Sequence, residues 1–252
     1  MSRTKKALLF TLALLPVALV AGYFAMRYTV KLLDPAVLQQ AIEQIGSEKA
    51  LFAVSIVQVV LYAAVCGFFG YILSDKLGLM RPFRFGKKRL LITLIVSAAG
   101  GVVFSLDAWT FGKWIPEIGA SYAATGTFDA DLWITSVLYG GVIEEVMMRL
   151  FLMSLLAFLL WKLFFRKMET VPTGLLIAAN IAAAILFAAG HLPVTASTFG
   201  TLTPMLLLRC FLLNGAFGLL FGRLYRKYGI QYAMLGHALL HIISRLIWLI
   251  VF

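Results

Sequence analysis

Leu138-Tyr139-Gly140-Gly141-Val142-Ile143-Glu144-Glu145-Val146-Met147-Met148-Arg149-Leu150-Phe151-Leu152-Met153 sets two adjacent carboxylates in the middle of an apolar run. Mostly apolar or small residues flank the pair from 132 to 165. Hydrocarbon holds no water to solvate a carboxylate, and a charge at the centre of a bilayer costs at least about 2.5 kcal/mol. A chain that keeps two carboxylates there needs groups elsewhere to answer them.

The surroundings are membrane. Of 252 residues, 62% are hydrophobic and only 13% charged, with a mean hydropathy of +0.95. Soluble domains carry about 25% charged residues. The expected fold class is all-α, a polytopic transmembrane helical bundle of about seven spans in a lipid bilayer. A net charge of +11 invites a nucleic-acid reading. The basic residues, however, lie in short clusters between apolar runs, where they set topology. No nucleic-acid partner is expected. Cys66 and Cys210 lie inside apolar runs without any CxxC pattern, and read as small buried hydrophobes.

Basic residues precede an apolar run over 7–26 that is longer than a signal-peptide core, so it reads as an uncleaved first span. Asp34-Pro35 then opens a short amphipathic helix, expected on the outer membrane surface. Further spans are expected at 51–73, 90–106, 132–165, 172–190, 204–221 and 230–252. Arg3, Lys5 and Lys6, the cluster from Lys76 to Arg89, Lys162, Arg166 and Lys167, and Arg223, Arg226 and Lys227 fall on one side. Outer segments hold only Arg27, Lys31, Lys49 and Lys113. The positive-inside rule therefore puts the N-terminus in the cytoplasm and the C-terminus outside, in the plasma membrane of a bacterium. Two parts are expected: 1–106, with three spans and the amphipathic helix, and 132–252, with the polar residues.

The chain has three histidines, His191, His237 and His241, all at or within the late spans. His237 and His241 are four apart, so both imidazoles share one helix face. Glu145 and Arg149 are also four apart and can pair along their own helix. Glu144 points about 100° away and lacks a partner in its own span. It is expected to meet the histidines. A carboxylate and imidazoles in a membrane cavity can activate a water, bind a metal or pass protons.

Glu144-Glu145-xxx-Arg149, Phe187-xxx-His191 and His237-xxx-His241, in that order, resemble the CAAX protease and bacteriocin-processing (CPBP, or ABI) family of intramembrane proteases. That family's pattern is EExxxR, FxxxH and HxxxN or HxxxD, and the resemblance covers roughly residues 130–245. It implies a catalytic core over 132–252 and an endopeptidase acting on a peptide or protein substrate at the membrane. The substrate would be a CAAX-type tail, a bacteriocin leader or another peptide. By position, Glu144 would activate the water with His191 and His237 as partners. Position 241 would hold the oxyanion, and Glu145 and Arg149 would brace the site. The family has been described both as metal-dependent and as a glutamate-type protease. Here position 241 is His, where the pattern has Asn or Asp. His237 and His241 on one face also suit zinc. Alternatives are a non-catalytic scaffold or immunity-type protein on the same fold, or a proton-coupled transporter.

On this span map His191 lies near the outer end of its span and His237 about seven residues from the cytoplasmic end of the last. At about 1.5 Å per residue their depths differ. Gly190 and Pro193 permit a helix break, and the expected result is a funnel-like polar cavity among spans four to seven. Arg245 reads as a cation that snorkels outward, with a substrate carboxylate as its alternative partner. Asn180 and Asn214 read as interhelical hydrogen-bond donors.

Overall fold

The computed structural model describes residues 1–125 and 127–251, without the side chains of 123–125. It is 85% helical and has no strand among the described residues. Seven helices are long and apolar enough to cross a membrane. They are α1 (Arg3–Leu32), α3 (Glu48–Lys76), α4 (Lys87–Ser105), α6 (Ala130–Phe164), α7 with its continuation α8 (Thr173–Gly190 and Leu192–Phe199), α9 (Pro204–Tyr228) and α10 (Ile230–Val251). Short helices α2 (Pro35–Ile45) and α5 (Pro116–Thr125) lie between spans. The protein is a multi-pass membrane protein.

Local chemistry starts and stops these helices. The Asp34 side chain accepts the Ala36 N–H at 2.8 Å with Pro35 at the first turn, and Gly46 ends α2 at φ 101°. Ser47 caps α3 through the Ala50 N–H at 3.1 Å. Asp129 accepts the Asp131 N–H at 2.8 Å at the start of α6. Such caps satisfy N–H groups that a first helical turn leaves without partners.

In a membrane, helices associate through close packing rather than through the hydrophobic effect. Glycines at the crossings permit it. At Gly141 of α6, an added Cβ would stand 2.7 Å from the Ala238 Cβ and 3.0 Å from the Ala238 Cα of α10. Gly141→Ala is therefore expected to push α6 and α10 apart and cost about 1–3 kcal/mol. A lower melting temperature in detergent checks this.

α6 is the centre of the bundle. It packs on α3, α7, α9 and α10, and Ile143, Val146, Leu150 and Met153 are wholly buried. Tyr225 of α9 bonds Ser74 of α3 at 2.7 Å and Ser154 of α6 at 2.7 Å, so a buried polar link fixes three helices at one depth. Through Ser136–Glu144 and Val146–Met153 the α6 backbone winds in wide π-helical turns. Such turns are rare and concentrate at functional sites. Periodicity reads this stretch as ordinary α-helix, because π-turns leave no apolar pattern of their own.

Charges close the two ends. Arg27 meets Asp131 at 3.0 Å, and Lys31 meets Asp129 at 2.9 Å and Asp131 at 2.7 Å, tying the end of α1 to the start of α6. At the opposite end Arg3 pairs with Asp75. There too Gln231 donates to the Pro82 carbonyl at 3.0 Å, and the Gly86 N–H donates to the Tyr232 hydroxyl at 2.7 Å.

Candidate active site

The two glutamates sit in different surroundings. Glu145 is wholly buried beside Arg149, whose Nη1 lies 3.0 Å from Glu145 Oε1. His237 Nδ1 approaches the same oxygen at 2.9 Å. Because a carboxylate accepts, His237 donates from Nδ1. The Arg149 guanidinium lies over the Phe187 ring at 4.5 Å and the Phe221 ring at 5.6 Å. Phe187 thus serves as a lid on a buried cation.

Glu144 lies in a cavity. Its side chain is 19% exposed against 0% for Glu145. His191 Nε2 is the nearest ionisable partner, 4.0 Å from Glu144 Oε1. His191 Nδ1 lies 2.8 Å from the Phe187 carbonyl oxygen. A carbonyl only accepts, so Nδ1 carries the proton and Nε2 faces Glu144 as a bare lone pair.

His237 stacks on Phe221 at 4.5 Å, and its Nε2 lies 3.1 Å from His241 Nε2. One proton between the two nitrogens joins them. The expected partnership of His237 with Glu144 is therefore corrected: His237 is held by Glu145. Helical spacing places His237 and His241 on one face but leaves open which glutamate they meet.

The expected cavity exists, with a volume of about 320 Å³. Glu144, His191, His237, His241, Asn214 and Arg245 line it, together with Ser136 and Tyr139. It is not confined to the last four spans, because Tyr28 of α1 and Phe104 of α4 also wall it. These two carry no sequence signal. The depth mismatch resolves as expected at 190–193: α7 stops at Gly190 and α8 restarts at Leu192 with Pro193 in its first turn. His191 stands at the break and folds back over Phe187.

Asn180 bonds the Leu219 carbonyl of α9 at 3.0 Å, as expected of interhelical glue. Asn214 instead bonds the Cys210 carbonyl of its own helix at 3.1 Å. Arg245 does not snorkel: its Nη2 donates to Ser136 Oγ of α6 at 2.7 Å.

Residues 127–243 match the family profile described as Type II CAAX prenyl endopeptidase Rce1-like. Over these residues the chain is similar to the CPBP family. No curated protein and no solved structure matches the chain. All six polar positions of the CPBP pattern fall inside the matched segment, whereas Tyr28 and Phe104 fall outside it. The family is one of CAAX-type intramembrane proteases that act on membrane-associated peptides. Among the described residues no three His, Cys, Asp or Glu side chains converge to hold an ion. A catalytic zinc takes three protein ligands. The zinc reading of His237 and His241 lacks its third ligand.

Proposed function

We propose that the chain is an intramembrane endopeptidase of the glutamate type, in which Glu144 and His191 activate a water. The observation that carries this reading is the 4.0 Å gap between Glu144 Oε1 and His191 Nε2. Both atoms are acceptors and cannot bond each other. One water donates a hydrogen to each and keeps its lone pair for attack. As its oxygen bonds the peptide carbonyl carbon, its proton passes to Glu144. The C–N bond then breaks, and Glu144 returns the proton to the leaving amine. The products are a carboxylic acid and an amine. The His241 Nε2–H, turning from His237 Nε2 to the developing charge, is the donor for the oxyanion, and Glu145 with Arg149 holds His237 in place.

The substrate class is a membrane-proximal peptide: a CAAX-type tail, a bacteriocin leader or another such segment. The test uses protein reconstituted in liposomes with lipidated and unlipidated peptides, and mass spectrometry of the products. One defined cleavage that Glu144→Gln abolishes supports the reading. An equal yield from the Gln variant overturns it.

The cavity is lined by the far ends of α1, α4 and α10 and by the start of α6. These ends lie opposite the basic loops, so the positive-inside rule turns the cavity toward the non-cytoplasmic face. A membrane-impermeant maleimide applied to intact cells should label Gln40→Cys, and should label Glu169→Cys only after permeabilisation. The reverse pattern would turn the cavity to the cytoplasm.

A further inference from the structure

Three buried or half-buried arginines face different company. Arg149 holds Glu145 at 3.0 Å, and Arg209 holds Asp107 at 2.5 Å. Asp129 and Asp131, at the same end of the bundle as Arg245, are already paired with Lys31 and Arg27. No carboxylate lies within ion-pair distance of Arg245 among the described residues. Its guanidinium meets a neutral hydroxyl instead, with Nε 3.1 Å and Nη2 2.7 Å from Ser136 Oγ, and lies 5.6 Å from the Trp248 ring. The Ser136 proton is spent on the Leu132 carbonyl at 2.6 Å. That leaves the positive charge uncompensated and N–H donors to spare.

This cation lines the same cavity as Glu144 and His191. A desolvated cation without an anion is costly, and an incoming carboxylate offsets that cost through a forked, charge-assisted contact. We infer that Arg245 anchors the C-terminal carboxylate of the peptide that the site takes, a reading that rests on the peptidase proposal above. Helix geometry sets the distance. Arg245 lies four residues beyond His241 and eight beyond His237, or about 6 and 12 Å along α10. An extended peptide advances about 3.3 Å per residue, so the anchored end lies roughly two to four residues from the scissile bond. A cavity of about 320 Å³ is at the small end of ligand sites and suits a chain end better than a passing strand.

The test measures binding and cleavage separately. Fluorescent peptides ending in a free carboxylate or in an amide are titrated against Glu144→Gln protein in nanodiscs. Amidation should weaken binding about tenfold or more, the worth of a charged hydrogen bond. Adding Arg245→Gln should make the two peptides bind alike, and Arg245→Lys should restore part of the preference. In otherwise unaltered protein, Arg245→Gln should raise KM far more than it lowers kcat. Melting curves confirm that both Arg245 variants remain folded. If Arg245-containing protein binds acid and amide equally, the anchor is wrong. If an amide with aspartate at its last position binds as well as the free acid, the carboxylate is a side chain and the chain-end inference fails. Preference for the free acid without cleavage of either peptide would remove the peptidase reading and leave the anchor standing.

Discussion

Glu144→Gln should leave a folded protein whose kcat falls by about 10²–10⁴-fold, the usual worth of a positioned general base. The substitution keeps the shape of the side chain and removes its capacity to take a proton. Its structural effect should be small, because Glu144 has no ion-pair partner nearer than the 4.0 Å contact with His191. Replacing it strands no buried cation. Equal melting temperatures with unequal turnover on one confirmed peptide would be the signature. Glu145→Gln makes the contrast, since that oxygen serves both Arg149 and His237. There the melting temperature should fall together with activity. Should both variants lose activity with no thermal change in either, the division of roles between the glutamates is wrong.

Arg149→Ala should be the most destabilising of the substitutions considered. The side chain is 2% exposed, pairs with a wholly buried carboxylate and fills the space between two aromatic rings. Removing one partner of a buried ion pair costs about 3–5 kcal/mol, because the other charge is left without compensation. In a protein of this size that corresponds to a fall in melting temperature on the order of 10 °C. Replacing both members by apolar residues of similar volume, as in Glu145→Met with Arg149→Met, should recover much of that loss. The double variant should still be inactive, because His237 loses the carboxylate that orients it. A wild-type melting temperature for Arg149→Ala would show that the pair braces nothing.

Much of this was legible in order and spacing. Hydropathy gives the seven spans because backbone polar groups in lipid must be satisfied within the helix, so each crossing needs a long apolar run. Asp34-Pro35 gives a helix start because the cap is local chemistry. Glu145 and Arg149 pair as their spacing implies. Other features had no local signal. The π-turns of α6 depend on what packs around them. Tyr28 and Phe104 reach the cavity only because α1 and α4 fold against α6 and α10.

Residue types and one-dimensional spacing were sufficient for the membrane architecture, the family pattern and the list of polar residues that must meet. Helical spacing is a property of one helix, and so it separates Glu144 from Glu145 without saying what either will touch. Assigning His237 to the dry carboxylate and His191 to the wet one required the packing of α6, α7 and α10. So did bringing Arg245 to Ser136 instead of the bilayer surface. A partner on another helix is set by crossing and depth, which arise only when the bundle closes.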